Sequence, residues 1–352
     1  DISEYKAISY LRDDKDFLNQ DKAIESQIQI LYEDIIEKIV EYVKRNYDIS
    51  SDLCTVLIDD EKYCKVKLNI ISKKLSEICK KHYEKSPIIN NELINKNEIT
   101  GPIRKARNII ISTILDETYK QFDYSKNSPE CSIFRATVKN IGLLNGERSY
   151  EKDIKFVIKK IRDFIVSSNE KEVSFELLYN DLVSDNYGIG MRKGVIPIYL
   201  AFVLKDYKEE AIIYLKHGRK KKELILDTNL IENINNNPKE YLIKVEKGTE
   251  EKENYLNGLI GILKDYMPKV SKNRYVDILE GMRSWLHSLS IYAQNHNVDI
   301  LNKKDIANDI KKFRSSLVKF DINYRQFIFK DLSKIFEKDN YNEVLDRFME
   351  IK

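Results

Sequence analysis

The stretch that most constrains this chain is Tyr187–Leu204, YGIGMRKGVIPIYLAFVL. Its last nine residues, Ile196–Leu204, carry no charge, and a helix built from them has no polar stripe to turn toward water. Such a helix must be enclosed on all sides. Pro197 is harmless in a first helical turn, where its missing N–H has no partner anyway. Gly188, Gly190 and Gly194 supply a turn that tolerates positive φ before it.

The flanks continue the pattern. Ser174 is placed to cap a helix whose Phe175, Leu178, Leu182 and Val183 fall on one face. Downstream, Ala211–Leu215 and Glu223–Leu226 read as strands around the basic turn His217-Gly218-Arg219-Lys220, with Lys221 and Lys222 following it. Tyr241–Val245 reads as a third strand. Helix, turn, helix and hairpin in that order describe a winged-helix-like α+β module over residues 171–247. A winged helix that reads DNA lays its second helix in the major groove, which demands polar and basic side chains there. Here the only charges near that helix, Arg192 and Lys193, precede it. The composition favours a packing module. The alternative is nucleic-acid contact through Arg192, Lys193, Arg219, Lys220, Lys221 and Lys222.

The remainder is mainly helical. Six prolines and eleven glycines in 352 residues favour long helices over a β-rich fold. The hydrophobic fraction of 42% is enough for real cores, and a net charge of +3 is too small to mark a strongly basic nucleic-acid binder. Four cysteines lack metal-type spacing, so buried free thiols in a reducing cytoplasm are expected. No apolar run reaches the roughly 20 residues of a membrane span. The chain opens at Asp1 already in a helical pattern, which suggests a piece of a larger protein.

Four segments follow from breaks in the pattern: an N-terminal helical segment with a small hairpin (1–85), a helical domain (86–170), the α+β module (171–247) and a C-terminal helical domain (248–352). In the first, Ile24, Ile28, Leu31, Ile35, Ile39 and Val43 make one apolar stripe, expected to be core. Cys54–Ile58 and Tyr63–Val66 are expected to pair across Asp59–Lys62. In the second, Arg104, Lys105 and Arg107 crowd the start of a helix that opens at Thr100-Gly101-Pro102. Cations there oppose the helix dipole, so an anion or acidic partner is the sharper reading and a solvated face the plainer one. In the last, Trp285 falls at helical spacing with Met282 and Leu289 and reads as a core anchor.

No catalytic constellation appears. Gly188, Gly190, Arg192, Lys193 and Gly194 lack the spacing of a phosphate-binding loop, and no Ser or Thr follows Lys193. The third glycine is one residue late for a dinucleotide fingerprint. The four histidines are isolated, and no G-x-S-x-G occurs. Neither cofactor nor metal ligands are identified.

Four phrases taken together carry a resemblance: SPIINNELIN at Ser86–Asn95, SIFRATVKNIGLL at Ser132–Leu144, the Tyr187–Leu204 stretch, and FKDLSKIF at Phe329–Phe336. They resemble the region that follows the ATPase core in very large bacterial P-loop ATPases of phage-defence systems, of the bacteriophage-exclusion and phage-growth-limitation type. The resemblance implies a non-catalytic segment that docks partners or transmits nucleotide state, with ATP hydrolysis residing elsewhere in the parent. Its partners would be other regions of that parent or subunits of a defence complex, with DNA as the alternative. An enzyme of unrecognised type is the third reading.

Overall fold

The computed structural model describes residues 2–19, 21–218, 220–268, 273–298, 305–319 and 322–352. The chain is mainly helical with two small sheets among the described residues. It divides into two compact units, 1–82 and 83–352.

In the first unit, α1 (Ile2–Asp13) and α2 (Lys15–Leu18) are separate helices. The Asp14 carboxylate accepts the N–H groups of Asp16 and Phe17 at 3.0 and 3.1 Å, and so restarts the helix. Helix α3 (Lys22–Tyr47) packs on α1, with Tyr5 5.7 Å from Tyr32 and the Arg12 guanidinium 4.1 Å above the Tyr32 ring. The α3 stripe is only partly core. Ile28 and Ile35 are buried, whereas Leu31 and Val43 are 49% and 46% exposed. Within this unit the stripe is wider than the single helix laid against it.

Strands β1 (Thr55–Ile58) and β2 (Glu61–Cys64) form an antiparallel hairpin. The turn is two residues rather than four, because Asp59 and Asp60 both adopt positive φ, 49° and 63°. That conformation matches the strand twist, so pairing begins at Ile58↔Glu61 and the second strand starts two residues earlier than its apolar pattern suggests. Helix α4 (Leu68–His82) adds Ile71 to a small core with Ile58 and Val66. All four cysteines are free thiols, but only Cys131 is buried; Cys64 and Cys79 face solvent.

The second unit begins with helix α5 (Gly101–Leu115) and α6 (Pro129–Phe134), which runs into a π-helical turn at Arg135–Lys139. Gly142 follows at φ 84°, where a Cβ would meet the Ser149 carbonyl oxygen at 2.0 Å, so only glycine fits. Next come α7 (Lys152–Ser167), β3 (Val173–Ser174), α8 (Phe175–Val183) and α9 (Ile196–Leu204). They are followed by β4 (Ala211–His217), β5 (Lys220–Leu224), α10 (Thr228–Asn236) and β6 (Tyr241–Val245). The sheet order is β3-β6-β4-β5, all antiparallel, with Val173 and Ile213 both opposite Ile243. Thus β6 lies between β3 and the β4–β5 hairpin.

All nine residues of α9 are buried, as their composition requires. Helices α5, α7 and α10 pack around it. One apolar core runs from Ile89 to Val245 and draws on both sides of residue 170. Helix α10 has no counterpart among the elements expected from the sequence. Its signals are Asp227, whose carboxylate accepts the Leu230 N–H at 2.7 Å, and Leu230, Ile231 and Ile234 on one face.

A second core is built by α11 (Glu250–Leu263), α12 (Arg274–Ser288), α14 (Asn308–Leu317), α15 (Tyr324–Gln326), α16 (Leu332–Phe336) and α17 (Tyr341–Ile351), while the short α13 (Ile291–Asn295) between α12 and α14 contributes nothing to it. A π-helical turn at Phe327–Asp331 links α15 to α16. Trp285 is buried there, 6.1 Å from Phe313 and 6.0 Å from Phe348. The sequence pattern over Arg274–Asn295 suggests one helix, but Ser290 accepts the Ala293 N–H at 3.2 Å and starts a second. The sequence pattern over Lys303–Val318 also suggests a helix, and α14 begins at Asn308; Lys303 and Lys304 lie outside the described residues.

Leu200 is fully enclosed in α9. Leu200→Ala is expected to cost about 2–5 kcal/mol through the apolar burial it removes and the cavity it leaves. Leu200→Asp would bury an unpaired carboxylate and should abolish the cooperative thermal transition seen by circular dichroism. An unchanged melting curve for the aspartate variant would contradict the enclosure of α9.

Candidate functional site

Three sets of polar groups in the second unit bear on the residues singled out in the sequence. The first surrounds Arg107 on α5, for which the sequence leaves a partner contact or a solvated face and which the structure places in the core, 1% exposed. Its Nε and Nη2 donate to Oε1 and Oε2 of Glu232 on α10 at 2.9 and 2.6 Å, and Nη1 donates to the Gly194 carbonyl at 2.8 Å. The acidic partner therefore exists, but it belongs to the same chain. The Asn108 amide, turned nitrogen inward, also donates to Glu232 Oε1 at 2.6 Å. Burial pushes the nearby Tyr179 hydroxyl upward in pKa, and that hydroxyl has no hydrogen-bond partner among the described residues.

Gly194 is the close-approach glycine of this set. A Cβ there would sit 2.2 Å from the Ile94 carbonyl oxygen and 2.7 Å from that of Lys96. Its own N–H donates to the Lys96 carbonyl at 2.8 Å, and the Lys193 N–H donates to Asn97 Oδ1 at 3.3 Å. Three segments meet here: 94–97, the first turns of α5, and the turn before α9. Arg104, Lys105, Arg192 and Lys193 remain exposed, as does Lys96. None of these five forms an ion pair with a described carboxylate.

The second set is the β4–β5 hairpin. Lys216 stands directly opposite Lys221, an arrangement that like charges disfavour. The Lys221 ammonium is paired with Glu172, and Lys222 is exposed but not without a partner. Lys220 begins β5; Arg219 lies outside the described residues.

The third set was not legible in the sequence and joins this hairpin to the C-terminal helices. Asn323 Oδ1 accepts the Glu223 N–H at 2.9 Å, and its Nδ2 donates to the Lys221 carbonyl at 3.3 Å. A side-chain amide thus pairs with the outer edge of β5. Arg325, 7% exposed, donates from Nη1 to the Glu210 carbonyl at 3.3 Å. Its Nη2 donates to the carbonyls of Glu209 at 2.8 Å and Ala211 at 3.3 Å. Its backbone N–H donates to Glu223 Oε2 at 3.1 Å, and its guanidinium lies 4.3 Å from the Tyr275 ring centre. Burial raises the Glu223 carboxyl above the ordinary range, against the opposing pull of Arg325.

The cavities are open surface grooves. The largest described, about 520 Å³, is lined by His287, Asn295, Lys311, Lys312 and Arg314 among others. Another of about 310 Å³ brings Lys193 beside Glu176, Asn180 and Lys239. No group of three or more His, Cys, Asp or Glu among the described residues could hold a metal ion. No described helix is long and apolar enough to cross a membrane. No family model matches the chain, and neither does any curated protein or solved structure.

Two outcomes follow from these charges. Arg107→Ala should cost about 3–5 kcal/mol by leaving Glu232 buried and unpaired, whereas Arg107→Met with Glu232→Leu should recover most of that loss. Chemical denaturation of the single and double variants measures both; additive losses would contradict the pairing. Glu223 sets a pH dependence of definite sign. Its raised value means that the folded chain holds a proton the unfolded chain has released. Its contribution to stability is therefore greatest below the ordinary carboxyl value of 4.5 and falls as pH rises toward the folded value. The stability of the wild type relative to Glu223→Gln should decline across that window, and a rising difference would reverse the assignment.

Proposed function

We propose that this chain is a non-catalytic coupling and docking segment of a larger, ATP-dependent bacterial protein of the phage-defence type. In it, the winged-helix-like module at 171–247 serves as a packing joint. The observation that carries this reading is the complete burial of α9, the helix that a groove-reading module would leave free. The order helix, turn, helix, hairpin supports the winged-helix description, with β6 inserted between β3 and β4 as a departure from the simplest plan. The Asn323 and Arg325 contacts support the joint, because they occupy the outer edge of β5 and the start of β4 from the C-terminal side. The four resembling stretches support the parent protein's class. In that setting, a displacement applied to the helices around α9 passes through the hairpin into the C-terminal bundle.

Coupling of this kind has a thermodynamic signature. Trp285, the only tryptophan, reports on the C-terminal core, while circular dichroism reports on all helices. In the wild type the two probes should give coincident unfolding transitions. Arg325→Ala combined with Asn323→Ala should separate them, with the tryptophan transition moving first. Separate transitions in the wild type would defeat the joint, and coincident transitions in the double variant would show that these two residues do not make it.

A further inference from the structure

The two cation clusters that the sequence presents separately, 87 positions apart, are brought to one place by Arg107 and Gly194. Arg107 is one turn along α5 from Arg104, and its bond to the Gly194 carbonyl holds that part of the helix against the turn carrying Arg192 and Lys193. The Gly194 N–H and the Lys193 N–H tie the same turn to the segment carrying Lys96. Exposed cations from three segments, five in all, therefore lie around the start of α5. There the helix dipole is itself positive. The nearby acids, Glu92, Glu98 and Glu176, the last in the same groove as Lys193, are exposed and form no ion pair with any of the five. This contrasts with the hairpin, where Glu172 is paired with Lys221.

The surroundings suit phosphate. Thr100 makes no side-chain bond into the first turn of α5, and a Cβ added at Gly101 would meet nothing within 4 Å, so the N–H groups of Gly101 and Ile103 are open to close approach, Pro102 between them having none. Asn90, Asn95 and Asn97 are exposed alongside Lys96, and amide side chains of this kind contact phosphate and sugar oxygens. Base reading is not provided, because α9 is enclosed.

We infer that the surface formed by Lys96, Arg104, Lys105, Arg192 and Lys193 binds the phosphate backbone of a nucleic acid without sequence preference. The five cations act as phosphate contacts, and Arg107 positions them without touching the ligand.

Fluorescence anisotropy of the whole chain against labelled duplexes of unrelated sequence, titrated at several salt concentrations, tests this. The wild type should bind all duplexes alike, with affinity falling as salt rises. Replacing the five residues by Gln should weaken binding at least tenfold and lower the salt slope by about 0.9 for each phosphate no longer neutralised. The pair variant Arg192→Gln with Lys193→Gln should fall between, and serves alone if the fivefold variant does not keep the wild-type melting curve. Lys221→Gln with Lys222→Gln should change affinity by less than about twofold, since a paired surface charge neutralises few phosphates. Absence of wild-type binding at low salt, wild-type affinity in the patch variants, or loss confined to the hairpin variant would each overturn the inference. So would tighter binding of poly-glutamate than of DNA through the same five residues, which would mark an acidic protein as the partner.

Discussion

The Arg107 guanidinium is the tie on which the first core of the second unit depends. Three of its nitrogens are committed, two to the Glu232 carboxylate and one to the Gly194 carbonyl. A helix near the start of the unit, a turn in its middle and a helix after the hairpin are thereby fixed to one point. The arrangement is costly to break because removing either charge strands the other in an apolar interior. It also explains why residue 194 is glycine. The turn must approach the carbonyls of Ile94 and Lys96 more closely than any side chain permits. With that turn fixed, α9 enters the core at a set angle, and its nine apolar residues find neighbours on every side.

Ile196–Leu204 shows how much of this was readable in advance. Uniform apolarity has one physical outcome, enclosure, and that part of the fold was legible from composition. So were the Ser174 cap and the strand at Tyr241–Val245, where local chemistry decides. What escaped were outcomes set by distant partners. Glu232 looks like one carboxylate among fifty-seven acids, because nothing in its neighbourhood names an arginine 125 positions away. Arg107 sits in sequence with Arg104 and Lys105 as one cluster, yet it heads the row of Ile110, Ile111 and Ile114 that forms the buried face of α5. The Asp227 cap and the Leu230-Ile231-Ile234 face did mark α10, but the asparagine-rich context around them resembles a loop. In the first unit, the α3 stripe was a true helical signal, yet amphipathicity states which face is apolar and not how much of it a neighbour covers.

The two buried arginines do related work in different settings. Arg107 meets a carboxylate with two parallel bonds and lies within the first core. Arg325 meets mainly backbone carbonyls, those of Glu209, Glu210 and Ala211, at the point where β4 begins. Carbonyls carry only partial charge, so its positive charge is balanced by Glu223 at the longer distance of 3.6 Å and by the Tyr275 ring face. The carboxyl of Glu223 is correspondingly less relieved of its burial than a bidentate partner would leave it, and its pKa rises. A residue so placed ties the hairpin to the C-terminal helices through main-chain geometry, so the joint depends on the backbone path of 209–211 more than on any one side chain there.

Charge placement then separates what is structural from what is free to act. Buried arginines are matched inside the chain, and Lys221 of the hairpin is matched by Glu172. The five cations around the α5 start are matched by nothing within ion-pair reach among the described residues. In a chain of net charge only +3, five unmatched cations around one helix start are not a consequence of overall basicity. They arise because Arg107, by reaching inward, ties α5 to the turn before α9, and the Gly194 and Lys193 N–H groups tie that turn to the segment carrying Lys96. The same contact that closes the core thus concentrates positive charge outside it, and a polyanion would relieve the repulsion that the fold has gathered there.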